Sequence, residues 1–258
     1  MEVVTNHMDE KDFIDGWLNT QQPDATCPNL FVLSERENVR DLVLPAMHAV
    51  LKDHLIGLSI IEEMGGLKKA ADVIRNKLPS YKTTRSGDLG EMLATEYVDQ
   101  KTDYRVPIRR LRYKDDRQTT MRGDDVIAIR PGKKRNTQVL KVESKSRASL
   151  ATAAIEDASA ALLKNSARPN PSTLAFISTR LRETKRHAEA VLIERLQQHD
   201  LKDADIEHLL FTFSGNNPAT ILAPHAKTPR RPLISRLLVG IMVKDHQAFI
   251  KLVFEGIR

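Results

Sequence analysis

The chain has 258 residues, 41% of them hydrophobic, enough to supply a real core and too many for a disordered tail. Forty basic against 34 acidic residues leave a formal charge of +6, a mild excess that is weak evidence for a polyanionic partner. Cys27 is the single cysteine, which excludes an intramolecular disulfide and a cysteine zinc cage.

The most apolar stretches, around 42–61 and 233–243, are interrupted by polar residues such as His48, Lys52, Asp53 and Arg236, so neither reads as a membrane span. The first residues lack the basic flank and apolar run of a signal peptide, and the expectation is a soluble cytoplasmic protein.

In chain order, residues 1–37 read as irregular, with Pro23 and Pro28 among mixed polar residues. Residues 38–78 read as helical, with breaks at Gly57 and Gly65-Gly66, and Pro79 closes the region. Ser86 suits an N-cap, with Asp88 favourable in the first turn and Leu89, Met92, Leu93 and Tyr97 at helical spacing. A strand is expected at 104–113, confined to an edge or bulge by Pro107 and broken in its alternation by Arg109-Arg110. A second strand is expected at 125–130 and a third at 137–145, joined by the turn Pro131-Gly132-Lys133-Lys134-Arg135-Asn136. An Ala-rich helix at 150–165, a strand at 173–178, a helix at 181–199 and a strand at 206–213 follow. The tail holds an apolar strand at 237–243 and a short helix at 247–254. Between 86 and 179 the order is helix, three-strand meander, helix, strand, which suits an α/β sheet with helices on its faces.

Basic residues fall in four groups: Arg105 to Arg122, Lys133-Lys134-Arg135, Arg180 to Arg186, and Lys227 to Arg236. Any one of them reads most simply as a solvated face. Their placement around an acidic constellation is what favours a polyanion.

That constellation begins in Val139-Leu140-Lys141-Val142-Glu143-Ser144-Lys145. On a strand, Lys141, Glu143 and Lys145 share one face, and Leu140, Val142 and Ser144 the other. A Glu-x-Lys triplet alone is common surface decoration. The preceding strand changes that reading, because Gly123-Asp124-Asp125 stands at its mouth and a hairpin sets Asp125 beside Glu143. Two adjacent carboxylates repel unless a cation neutralises them. Mg²⁺ (or Mn²⁺) suits such hard oxygen ligands. Asp125 is preferred to Asp124 as ligand, since alternation turns Asp124 to the opposite side, but a one-residue slip would exchange them. Glu91 supplies a third acid on a helix face of small residues, Gly87, Ala94 and Thr95. It either points into the helix–sheet contact, pairs with an arginine, or faces water on a rotated helix. Glu91, Asp125, Glu143 and Lys145 together suit metal-assisted hydrolysis of a phosphodiester. The sequence has no P-loop, no HExxH and no Gly-x-Ser-x-Gly elbow, and only 5% of residues are aromatic.

The segments Gly90-Glu91, Gly123-Asp124-Asp125 and Glu143-Ser144-Lys145, in that order of elements, resemble the PD-(D/E)xK nuclease superfamily. Glycine stands where the name-giving proline would be. The resemblance implies a restriction-endonuclease-like core over about 86–178, in a nuclease domain of residues 86–258 that includes a C-terminal extension, preceded by a helical region in residues 1–85. It also implies Asp125 and Glu143 as metal ligands, Lys145 as catalytic lysine and Glu91 as auxiliary acid and ligand. More narrowly, Ser86-Gly87-Asp88-Leu89-Gly90-Glu91 and the block at 123–147 resemble the HamA nuclease family of Hachiman-type antiphage systems. That resemblance implies DNA as substrate and a superfamily 2 helicase, HamB-like, as partner. Two alternatives stay open: a sequence-specific restriction or repair nuclease, and a catalytically inactive DNA-binding or regulatory subunit.

Overall fold

Six strands form one mixed sheet: β1 (Leu18–Gln21), β2 (Leu30–Glu35), β3 (Val126–Pro131), β4 (Thr137–Arg147), β5 (Ile206–Ser214) and β6 (Ser235–Met242). The computed structural model describes residues 12–131, 137–198, 201–228 and 230–257. The strand order is β1-β2-β6-β5-β4-β3. The four central strands run parallel, and β1 and β3 pair antiparallel at the two edges. β5 is buried along nearly its whole length, which is why it reads as an apolar run rather than an alternation.

One face of the sheet packs against α1 (Phe13–Trp17), α2 (Arg40–Leu55), α5 (Lys82–Lys101) and α10 (His246–Glu255). Val126, Ala128, Leu140, Val142, Phe211 and Val239 supply the sheet side of that core. The short α3 (Leu58–Glu63) and α4 (Leu67–Lys77) extend it beyond α2. Trp17 stacks on Phe249 with centroids 5.3 Å apart, tying the first helix to the last. The other face is covered by two helix pairs. α6 (Thr152–Leu163) and α9 (Ala219–Lys227) lie over Leu210 and Leu238. α7 (Pro171–Glu183) and α8 (His187–Gln198) lie over Ile127 and Val139.

The helical breaks at Gly57 and Gly65-Gly66, the Ala-rich helix and the last two strands and last helix stand where the sequence suggests. Four expectations are corrected. Residues 12–37 are not irregular: α1 lies in them, and β1 and β2 extend the main sheet, while residues 1–11 of that expectation lie outside the described residues. The helix holding Glu91 starts at Lys82, not Ser86. Just ahead of that start, Gln118 Oε1 accepts the N–H groups of Ser80 and Tyr81, each at 3.2 Å. The strand expected at 104–113 shrinks to a single bridge between Arg105 and Ile129, followed by a 3-10 turn over Arg110–Tyr113. Pro107 cannot donate to a ladder, and Arg110 is drawn inward instead. The strand expected at 173–178 is helix α7, with Pro171 in its first turn and the Asn170 side chain accepting from Ser172 N–H. The helix expected at 181–199 is divided between the end of α7 and α8. The turn residues Gly132 to Asn136, with the second basic group, lie outside the described residues.

Candidate active site

Small residues bring α5 onto β4. A Cβ on Gly90 would meet Ser146 Cβ at 3.0 Å and Ser144 Oγ at 3.1 Å. Ser86 Oγ lies 2.8 Å from Ser146 Oγ, which lies 3.1 Å from His246 Nε2. Gly87, expected on this contact, is exposed with nothing near it. The next residue after Gly90 is Glu91, so the close approach fixes its distance from the sheet.

Asp125 stands one residue before the first β3–β4 pair, Val126 with Val142, and is therefore beside Glu143. Its Oδ2 accepts the backbone N–H of Ser144 at 2.8 Å. Lys145 Nζ donates to Glu143 Oε1 at 2.6 Å, and these two side chains are 20% and 12% exposed. Glu143 and Lys145 share the strand face that α6 covers, as alternation suggests.

Burial disfavours the charged form of all three carboxylates, and Asp125 adds to the effect at both glutamates. Burial pushes Glu91 up to about 8, and the neighbouring Asp125 charge adds to the shift, while Arg110 opposes it. Burial pushes Glu143 up to about 7, again with Asp125 adding and Lys145 opposing. Asp125 is itself raised by burial, against the Ser144 N–H, Arg110 and Lys145. Asp125 is thus the shared neighbour of both glutamates, and the four residues singled out from sequence converge.

Among the described residues no three His, Cys, Asp or Glu side chains stand close enough to cage a metal as placed. An all-oxygen set of desolvated carboxylates with Asp125 and Glu143 adjacent nonetheless fits a magnesium-like ion, which binds through one or two carboxylates and keeps waters. Such an ion would favour the ionised forms that burial, and for the two glutamates the Asp125 charge, disfavour.

Sequence reasoning missed three residues. Arg110 is 5% exposed. Its guanidinium donates to the carbonyls of Asp125 at 2.8 Å and Arg122 at 3.1 Å, and its Nε has no partner. It is the main positive charge beside Glu91. Arg110 sat in a basic run and carried no local mark of burial. Asp88, taken as a first-turn acid, forms a buried pair with Lys114 at 2.9 Å, and burial raises it to about 6. Asp124 was expected to point away from the Lys141 side. It is instead 3.3 Å from Lys141 Nζ and accepts the Asn170 N–H at 2.6 Å. Alternation fails there because pairing starts only at Val126 and Gly123 turns the chain at φ +102°.

A family model described as HamA matches residues 11–257. The chain belongs to the HamA family. The Hachiman protein HamA of Bacillus cereus is 30% identical over 178 residues, which is 69% of this chain and 62% of that protein. All four candidate residues fall inside the span matched by the HamA model. In this HamA-family chain several cations of the first and third basic groups are paired internally. Arg109 pairs with Glu96 and Asp99, Arg112 with Asp53 and Lys114 with Asp88. Arg180, Arg182 and Arg186 pair with Glu183, Glu194 and Glu189. Among the described residues no helix is long and apolar enough to cross a membrane.

Proposed function

We propose that this chain is a metal-dependent DNA endonuclease of the PD-(D/E)xK type, the nuclease effector of a two-gene antiphage defence system. Its partner in this reading is a superfamily 2 helicase, a HamB-like subunit, which restrains it. The observation that carries the chemistry is the convergence of Glu91, Asp125 and Glu143 with Lys145 at the meeting of α5, β3 and β4. Kinship with HamA supports the defence role.

In this reading Asp125 and Glu143 hold a magnesium or manganese ion, with Glu91 as auxiliary acid. The bound ion would supply an acidified water and charge stabilisation on the phosphoryl oxygens. Lys145, on the same strand face as Glu143, orients the attacking water and offsets charge that builds on the phosphate. Arg110 keeps the Asp125 backbone in place and holds positive charge beside Glu91. The Ser144 N–H holds the Asp125 carboxylate through Oδ2.

The test is nicking of supercoiled plasmid by the purified chain with Mg²⁺, with EDTA, and with Lys145→Ala. Mg²⁺-dependent nicking that the substitution removes is expected. Activity that survives both EDTA and Lys145→Ala, or no nicking under any metal, overturns the reading.

A further inference from the structure

The fourth basic group is paired only in part. Lys227 pairs with Asp24 at 3.0 Å and Arg231 with Asp203 at 3.1 Å. Among the described residues Arg230 and Arg236 have no carboxylate within ion-pair distance. Arg236 on β6 stands beside His208 on β5, which stands beside Lys141 on β4, one row across the sheet. The Arg236 guanidinium donates to the His225 carbonyl at 3.1 Å. Burial and then the charge of Arg230 disfavour its protonated form. His208 bonds the Ala167 carbonyl at 2.8 Å and burial lowers it to about 4, so the positive charge here belongs to the arginines.

Ser159 of α6 lines the same recess as Arg230, Arg231 and Arg236. It is fully buried, and its hydroxyl has no hydrogen-bond partner. An unsatisfied buried hydroxyl costs about 1–3 kcal/mol. Two guanidiniums without a carboxylate between them add repulsion. A multi-oxygen anion at the mouth relieves both: it accepts from the arginines, and the space behind, enough for about one water, lets a water bridge it to Ser159.

We propose that this recess is a phosphate-binding site separate from the carboxylate cluster, and that the phosphate it takes belongs to a polynucleotide backbone. β4 carries Lys145 near its C-terminal end and α6 runs back along the sheet, so Ser159 lies toward the far end of α6 from that cluster. The recess has no room for a sugar or base, so it holds a phosphate at an open rim, as a passing backbone presents it. The choice of polynucleotide rests on the nuclease reading; the phosphate site does not.

The experiment is fluorescence anisotropy of labelled duplex DNA in EDTA, which measures binding whether or not the chain cleaves. Arg230→Glu, at an exposed position, keeps the fold. Arg236→Gln removes the inner guanidinium, and Arg195→Glu on the exposed side of α8 controls for net charge. Arg230→Glu should weaken binding about fivefold near 0.1 M salt and reduce the log–log salt slope by about 1, more than the control does. Calorimetric titration with inorganic phosphate forms the second arm. Phosphate binding lost in Arg230→Glu with DNA affinity unchanged keeps the site and overturns its polynucleotide source. Unchanged DNA affinity and slope, with no phosphate binding in the parent chain, overturns the proposal.

Discussion

The Asp125 carboxylate accepts the Ser144 N–H at 2.8 Å, so the residue before β3 is pinned to the backbone between Glu143 and Lys145. Its neighbour Asp124 serves a different end, held between Lys141 and the start of α7. Two adjacent aspartates therefore divide the work: one faces the carboxylate cluster, and the other fastens β4 to the α7 side of the fold.

Asp125→Asn should lose cleavage while staying folded, since the amide keeps the size but not the charge that holds a cation. Partial recovery with Mn²⁺ is expected. Asp124→Asn should leave Lys141 buried and uncompensated, at a cost of about 3 kcal/mol, within the range for breaking buried pairs. Urea unfolding and plasmid nicking on both variants check this. A stable Asp124→Asn that is inactive, beside an active Asp125→Asn, would reverse the assignment.

Lys145→Ala should abolish cleavage and leave DNA affinity largely intact, because one lysine acts on one phosphate while many cations share binding. Nicking and a mobility shift measured on the same preparation decide it. Parent-like rates in the variant would remove Lys145 from the site.

The grouping of Asp125, Glu143 and Lys145 is legible because it is local: all three belong to one hairpin, and the β3–β4 register sets Asp125 beside Glu143. What failed depended on partners far along the chain. Gln118 holds the residues just before α5, and Ser86 is spent on Ser146 rather than on a cap. Arg110 and Lys114 look like surface cations in a run of seven between Arg105 and Arg122, yet both are buried on carbonyls or carboxylates. The helix over 173–178 has a local signature: Asn170-Pro171, with Leu174, Ile177 and Leu181 at helical spacing, is a helix start.

Gly90→Ala tests the α5–β4 approach. Alanine gains about 1 kcal/mol of helix propensity. Its methyl would press on Ser144 and Ser146, and overpacking costs about 1–3 kcal/mol. The net stability change should be small, while activity falls at least tenfold, about 1.4 kcal/mol in barrier, because Ser144 lies between Glu143 and Lys145. Thermal melts with kcat measurements check the split. Full activity would show that β4 shifts freely.

Coexpression with a neighbouring helicase gene should yield a complex that elutes as one species and nicks plasmid far more slowly than the free chain. Separate elution at micromolar concentration counts against the proposed partnership.

The raised carboxylates fix the sign of the pH dependence without metal. Glu91 and Glu143 titrate near 8 and 7 when folded, against an ordinary value of 4.5. Between those values the folded chain binds more protons than the unfolded chain, so raising the pH favours unfolding. The contribution is fully present below 4.5 and is lost as pH climbs through about 7 to 8. A divalent cation that binds the ionised cluster should restore stability at the upper end and do little at pH 5. Urea midpoints in EDTA at pH 5, 6, 7 and 8, repeated with Mn²⁺, measure both effects. Glu91→Gln, which removes one of the titrating acids, should flatten the EDTA profile and raise stability at pH 8. A profile that rises from pH 5 to 8 in EDTA, unchanged by Glu91→Gln, would show that these acids are solvated and that the cluster is no site for a cation.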